Sequence, residues 1–503
     1  MTSATIWIII AFVLYLTMMV SIGLRDMKRV SSSDDYFLGG RKLGGFVAAL
    51  SAQASDMSGW LLMGLPGAVY ALGTGEIWIA VGLFIGTVLN WLFIASKLRR
   101  YTIQSGNAIT LPRYFENRFR DKSRILLVVS AAAILVFFLV YTASALAAGG
   151  KLFNTVFGLN YHAALIIGAV VILTYTLLGG FAAVCDTDFI QGSVMLIGLI
   201  VVPLLAIAVT GNGAGAAEAS GNAMFLNPFY DGGEKISFVS IISQLGWGLG
   251  YCGMPHILVR FMAVKDEKEL NKAKAVGIGW DALSLFFACM IGVVGRSCLA
   301  QDLTATGDHE KVFILMILSV FTEKLALPLI GGIFLCGILA AIMSTADSQL
   351  LVTASSVTED FYKGFLGRKP SDRQAVWISR SVVLAVALLA FIIAWNPDSS
   401  VMTLVSDAWA GLGAAFGPTV LLSLYWKRIN RQGAAAGIAA GAVTVILWDY
   451  IPLVGGSTLG NVTGLYSLVI GFAVSLAAII IVSLATPEPE KEIVAEFEKV
   501  QRG

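Results

Sequence analysis

Charge is scarce in this 503-residue sequence. Asp, Glu, Lys and Arg make up 13% of it, while hydrophobic residues make up 57%. A soluble domain carries about a quarter charged residues and about 45–50% apolar ones. A soluble layout is therefore excluded, because Leu, Ile and Phe would cover most of its surface. Cysteine is sparse too. Cys185, Cys252, Cys289, Cys298 and Cys336 stand singly, with no CxxC. That is neither a disulfide framework nor a zinc site, and they read as small buried hydrophobes. The three histidines, His162, His256 and His309, are too scattered to suggest a local ligand cluster. There is no nucleotide-binding loop of the form GxxxxGKS or GxxxxGKT, so ATP does not drive the protein directly. Nothing resembles GxSxG with a partner histidine, and no basic, aromatic-studded surface suggests nucleic acid. These absences set aside a soluble enzyme and a primary pump.

Long apolar runs are what the chain has in abundance. A bilayer-crossing helix needs about 20 mostly apolar residues. On that ruler the chain is predicted to be an all-α polytopic membrane protein with about 13 transmembrane helices. They cover roughly 5–24, 44–71, 77–97, 125–149, 161–183, 189–210, 237–262, 275–298, 326–351, 374–396, 401–426, 432–452 and 463–485. The 53 glycines favour close-packed helices over a β-barrel. The first run lacks a basic n-region and a small-residue cleavage site, so it reads as a retained spanning helix. No loop is long enough for a soluble domain. Residues 1–485 are expected to form a single transporter domain, and 486–503 a cytoplasmic tail, solvated and either helical or disordered.

Charge then orients the chain. Of its 34 Lys and Arg, 29 fall in or beside the loops after odd-numbered spans, among them Lys28, Arg29, Arg41, Arg260 and Arg502. Only Lys151, Lys235, Arg296, Lys311 and Lys324 lie on the other side. Basic residues stay cytoplasmic, so the N-terminus is expected outside and the C-terminus inside a plasma (inner) membrane. Asp186 and Asp188 give one loop acidic charge, which contributes little to orientation.

Against this apolar background a few polar residues stand out. The second span carries Ser51-Ala-Gln-Ala-Ser-Asp-Met-Ser-Gly-Trp60, then Gly64, Pro66 and Gly67. A carboxylate at mid-membrane, here Asp56, is costly and marks an ion or substrate path. Irregular backbone at that depth is tolerated only where it is buried in protein or lines a cavity. Unwound carbonyls with small hydroxyls suit a hard cation such as Na⁺. A plain kink, with Asp56 capping the second half-helix, also accounts for the pattern. The seventh span, Gln244 to His256, holds Gly246, Gly248, Gly250, Gly253 and Pro255, with Trp247 and Tyr251 four apart. Those rings suit a small apolar solute, although the glycines taken alone point to small-residue packing with aromatic filler. Two interrupted spans separated by four intact ones suggest inverted repeats, spans 2–6 (about 44–210) and 7–11 (about 237–426). In the ninth span Ser344 and Thr345 offer hydroxyls to a cation, with the Ala341 carbonyl exposed. The commoner fate of such hydroxyls is bonding to the preceding turn. Asp347 near the end of that span reads as solvated, and Tyr141 as a packing aromatic with its hydroxyl on a neighbour.

Asp35-Tyr-Phe-Leu-Gly-Gly-Arg41, Ser51 to Gly67, Gly246 to Phe261, Ala340-Ala-Ile-Met-Ser-Thr345 and Trp409 to Pro418 together resemble the sodium:solute symporter family, and within it the proline-transporting branch. The resemblance implies a LeuT-type fold of five plus five helices and Na⁺-coupled uptake of L-proline by alternating access. Na⁺ is the coupling ion, and no cofactor, nucleic acid or obligate protein partner is implied. By position it implies a sodium site at Ala54, Met57, Ala341, Ser344 and Thr345, with Asp56 required for sodium-dependent binding and Ser58 and Gly59 beside it. It implies solute binding by Trp60, Tyr141, Trp247, Tyr251 and Pro255, ion release near Asp188, and coupling through Arg41. Other solutes stay open: another amino acid, a betaine, a sugar or a carboxylate. A membrane sensor also stays open, disfavoured by the short tail.

Overall fold

The computed structural model describes residues 2–27, 33–177, 180–211, 215–299 and 302–502. Lys28 and Arg29, counted among the cytoplasmic charges, lie outside them, as does the side chain of Arg502. The described chain is helical almost throughout. Ten of its helices are long and apolar enough to cross a bilayer, and Trp60–Leu72 and Tyr161–Thr174 are shorter apolar helices. The three expected spans outside the ten are the short fifth and the two interrupted ones. A two-stranded hairpin, Tyr230–Asp231 with Glu234–Lys235, is the sheet among the described residues.

Expected edges differ from observed ones in an informative way. The sixth span begins at Phe181 and runs to Thr210, so Asp186 and Asp188 are helical residues and not loop charges. Asp186 pairs with Arg25 at 3.0 Å. Asp188 points into the protein and is fully buried. The hydropathy ruler stopped at the carboxylates because it scores them as solvent-seeking, whereas each has a basic partner. Arg260 corrects the charge count in the same way: it is 1% exposed and ion-paired to Asp188 at 3.3 Å. Asp347, expected to be solvated, is fully buried as well.

The second span runs as Gly45–Asp56, breaks, and resumes as wide π-type turns over Trp60–Gly64 and an α-helix over Leu65–Leu72. The seventh breaks more extensively. Phe238–Leu245 gives way to a tight 3₁₀ segment, Gly246–Gly253, and helix Pro255–Ala263 follows, with proline in the first turn where its missing N–H costs nothing. Glycine lets this segment press against the third span. A Cβ on Gly248 would lie 2.1 Å from the Gly82 carbonyl, so no larger residue fits without separating the two spans.

The tail departs from the expectation of a solvated end. Residues Lys491–Arg502 are helical, and Ile493, Phe497 and Val500, at i, i+4 and i+7, are buried. The Arg118 guanidinium lies 5.4 Å from the Phe497 ring. Gln501 donates to the Leu424 carbonyl at 2.6 Å and accepts from Lys97 at 2.7 Å, and Arg120 pairs with Glu492. An apolar stripe three residues wide was hidden among glutamates.

Candidate functional site

The break in the second span releases particular carbonyls. A continuous helix would give the Ser58 N–H to Ala54 and the Leu61 N–H to Met57. Instead Ser58 donates to the Asp56 carbonyl at 2.9 Å and Leu61 to the Ser58 carbonyl at 3.1 Å. Met57 takes ψ 78°. The freed Ala54 carbonyl accepts from Ser344 Oγ at 2.7 Å and Thr345 Oγ1 at 3.4 Å, and Ser344 also reaches the Ala341 carbonyl at 3.2 Å. Two spans nearly 300 positions apart are thus joined by oxygen atoms alone. Four of the five expected ligand residues meet here, and Met57 lies one turn further along the same break. Every atom in these contacts is an oxygen, and all these side chains are buried. The donor set fits a small hard cation.

The Asp56 carboxyl lies beside this group. Tyr251 OH donates to Asp56 Oδ2 at 2.7 Å, tying the two breaks together. The Asp56 carbonyl accepts from Trp60 Nε1 at 3.0 Å and from Tyr141 OH at 3.5 Å, and the Trp60 N–H meets Ser58 Oγ at 3.4 Å. Trp60 and Trp247 face each other at 6.4 Å between ring centroids, and Trp247 stacks on Tyr466 at 5.3 Å. Trp409 fixes the second break, donating to the Trp247 carbonyl at 2.8 Å and packing edge-on to Tyr251. Trp60, Tyr141, Trp247, Tyr251, Ser58 and Gly59 therefore converge around one point. Trp247 and Tyr466 in turn line an open hollow with Ser406, Asp407, Asp449 and Tyr450. Pro255 does not join this group. It lines a narrow cavity with Phe37, Ile109, Val259 and Leu351 on the far side of the break.

Asp188 and Arg41 occupy two stations toward the basic end. Asp188 Oδ2 accepts from Ser51 at 2.6 Å and from Arg260 at 3.3 Å, and Arg260 also donates to Ser51 and to Ser348 at 2.6 Å. This buried cluster joins spans 2, 6, 7 and 9. Arg41, half-buried, donates to Asn107 Oδ1 at 2.8 Å, Thr102 Oγ1 at 3.2 Å, the Ala108 carbonyl at 2.7 Å and the Met262 carbonyl at 2.5 Å. It ties the start of the second span to the end of the seventh, where Leu43 also bridges Val264. Sequence reasoning missed Tyr466, Trp409 as an anchor, Arg260 and Asp281. Asp281, a lone carboxylate inside the apolar run of the eighth span, carried the same signal that exposed Asp56.

Comparison with known proteins agrees with this geometry. The model of the sodium:solute symporter family matches residues 36–441. The chain belongs to the sodium:solute symporter family. This symporter is 45% identical to the osmoregulated proline transporter OpuE of Bacillus subtilis, over 97% of its own length and 96% of that protein's. It is 44% identical to the Staphylococcus aureus sodium/proline symporter, over 98% and 95% of the two chains. A solved structure, the substrate-bound outward-open state of a Na⁺-coupled sialic acid symporter, superposes with a TM-score of 0.77 over 96% of this chain and 99% of that one, at 19% identity. The symporter shares that protein's LeuT-like fold.

Proposed function

We propose that this symporter takes up L-proline with Na⁺ by alternating access. The observation that carries the reading is the Ser344–Ala54 contact of 2.7 Å between the ninth and the broken second span. A cation there takes the Ala54, Met57 and Ala341 carbonyls and the Ser344 and Thr345 hydroxyl oxygens, once the hydroxyl protons rotate away. It replaces two cross-span hydrogen bonds with charge–dipole contacts to both spans, and so favours the arrangement in which the break is ordered. Asp56 lies next to the ion and, through Tyr251, next to the solute cage, so ion and solute each gain from the other's presence. Proline's ring suits the aromatic faces of Trp60, Trp247, Tyr141 and Tyr251. Its carboxylate suits the backbone N–H at Gly59, at the start of the second half-helix. Pro255 acts at a distance, by setting the exit of the seventh span from its break. The names of the 44–45% identical relatives support proline as the solute.

The remaining parts of the reading follow from charge and length. Thirteen crossings, repeats at about 44–210 and 237–426, an external N-terminus and a cytoplasmic C-terminus place Arg41 and the tail helix at the cytoplasmic end of a plasma-membrane protein. Asp188 then lies between the sodium site and that end, on the route of ion release. Binding of labelled proline to the purified protein in Na⁺ and in K⁺ tests the reading. Tight binding in Na⁺, displaced by unlabelled proline and lost in K⁺, is expected; equal binding in both salts contradicts it.

A further inference from the structure

The turn that joins the ninth and tenth spans gathers cations at one place. Between Lys363 and Arg380 the sequence has Arg368, Lys369 and Arg373, with Asp372 as its one acidic residue. Elsewhere at the basic end, Arg100, Arg113, Arg120, Lys272, Arg428 and Arg431 each pair with a carboxylate. Arg368, Lys369 and Arg373 are exposed and form no ion pair among the described residues. With Ser371, Gln374 and Trp377 they line an open hollow of about 750 Å³, and no acidic side chain among the described residues lines it. The hollow has a fixed rim. Gly367, at φ 66°, turns the chain, and the Arg124 guanidinium holds that turn by donating to the Phe365 carbonyl at 3.0 Å. Ser371 and Gln374 close a capping box on helix Asp372–Ile393.

Trp377 ties this hollow to the bilayer. It is 59% exposed, and the Arg380 guanidinium lies 5.8 Å from its ring. Further along the same helix Leu384, Leu388 and Ile392 are exposed, spaced by fours on one face. From Trp377 to Leu388 the helix rises about 16 Å, half of a ~30 Å hydrocarbon core. Tryptophan settles at headgroup level, which places the three cations among phosphates and the apolar stripe among acyl chains. A soluble anion would engage the cations and leave the ring and the stripe unused. We infer that this hollow binds one anionic phospholipid, its phosphate on Arg368, Lys369 and Arg373 and its chains along Leu384, Leu388 and Ile392. The guanidinium fork matches phosphate oxygens, and basic pockets beside spanning helices hold anionic headgroups. The ninth span, which carries Ser344 and Thr345, continues through Pro328–Ser355 and Ser356–Phe365 into this turn, so the lipid grips the far end of that helix. The cytoplasmic leaflet follows from the orientation proposed above; the hollow itself does not depend on it.

Native mass spectrometry of the purified full-length protein, titrated with dioleoyl phosphatidylglycerol or dioleoyl phosphatidylcholine, tests the site. The first phosphatidylglycerol is expected to bind at least tenfold more tightly than the first phosphatidylcholine. Arg368→Gln with Lys369→Gln is expected to weaken it at least tenfold, and Trp377→Ala at least threefold with no change of charge. Lys265→Gln with Lys268→Gln removes as much charge from another exposed segment at the same end and is expected to leave that binding unchanged. All five side chains are exposed, so each variant is expected to keep the melting temperature of the unmodified protein. Equal affinity for the two lipids, or an equal loss from the two double variants, overturns the site. Displacement of phosphatidylglycerol by millimolar inorganic phosphate also overturns it, in favour of a soluble anion.

Discussion

At the scale of single residues, the proposed site consists of carbonyl oxygens that the break has freed from helical hydrogen bonding, with hydroxyls and aromatic rings around them. Ser344→Ala with Thr345→Ala removes two oxygens of the proposed sodium site while leaving a helix that still packs. The sodium concentration for half-maximal proline uptake is expected to rise at least tenfold with protein amount unchanged. Trp247→Ala removes one wall of the proposed solute cage. Proline binding at saturating Na⁺ is expected to weaken at least tenfold, about 1.4 kcal/mol, in a direct binding assay. Arg260 is a different kind of residue. Its loss strands the buried Asp188 carboxylate, so Arg260→Ala is expected to cost about 3–5 kcal/mol of stability, read as a large fall in the detergent melting temperature. Arg260→Lys should recover part of that loss because it restores the charge but not the forked contacts to Ser51 and Ser348. Asp56 was legible because it interrupts an apolar run. Arg260, Asp188 and Asp347 were not, because a charge near a span end looks the same in sequence whether it faces water or a partner.

At the scale of elements, the proposed site is built from the two breaks and from what holds them. The sequence showed both breaks from glycine and proline density, and the structure adds their braces: Trp409 on the seventh span, Asn90 donating to the Tyr251 carbonyl at 3.2 Å, and Arg41 across the basic end. A Cβ at Gly250 would sit 2.1 Å from Trp409 Nε1. Gly250→Ala must therefore push the indole off the Trp247 carbonyl. Solute affinity is expected to fall at least fivefold while the protein still purifies as a single species. Such braces are invisible in sequence because they pair residues 61 to 221 positions apart, and periodicity speaks only of neighbours on one helix. The span edges erred for a related reason. Hydropathy marks where lipid ends, whereas Phe181–Thr210 and Glu267–Cys298 begin as helices before that point, the first of them under protein cover.

At the scale of the whole molecule, two interrupted helices cross at a shared acidic centre inside a frame of intact ones. The proposed ion and solute sites lie among buried side chains where these two helices break. The fold class was legible throughout, since composition, run length and the spacing of the breaks all pointed the same way. The docked tail was not, because three apolar residues among glutamates read as a solvated end. Its contacts bridge the ends of spans 3 and 11 and the segment Leu111–Arg118. Deleting residues 487–503 is expected to lower the melting temperature by several degrees. The central claim, that sodium movement drives proline uptake through this frame, is tested most directly in proteoliposomes. With an inward Na⁺ gradient, labelled proline is expected to accumulate above its external concentration and to run down when the gradient is collapsed. Equal uptake with and without the gradient would contradict the account.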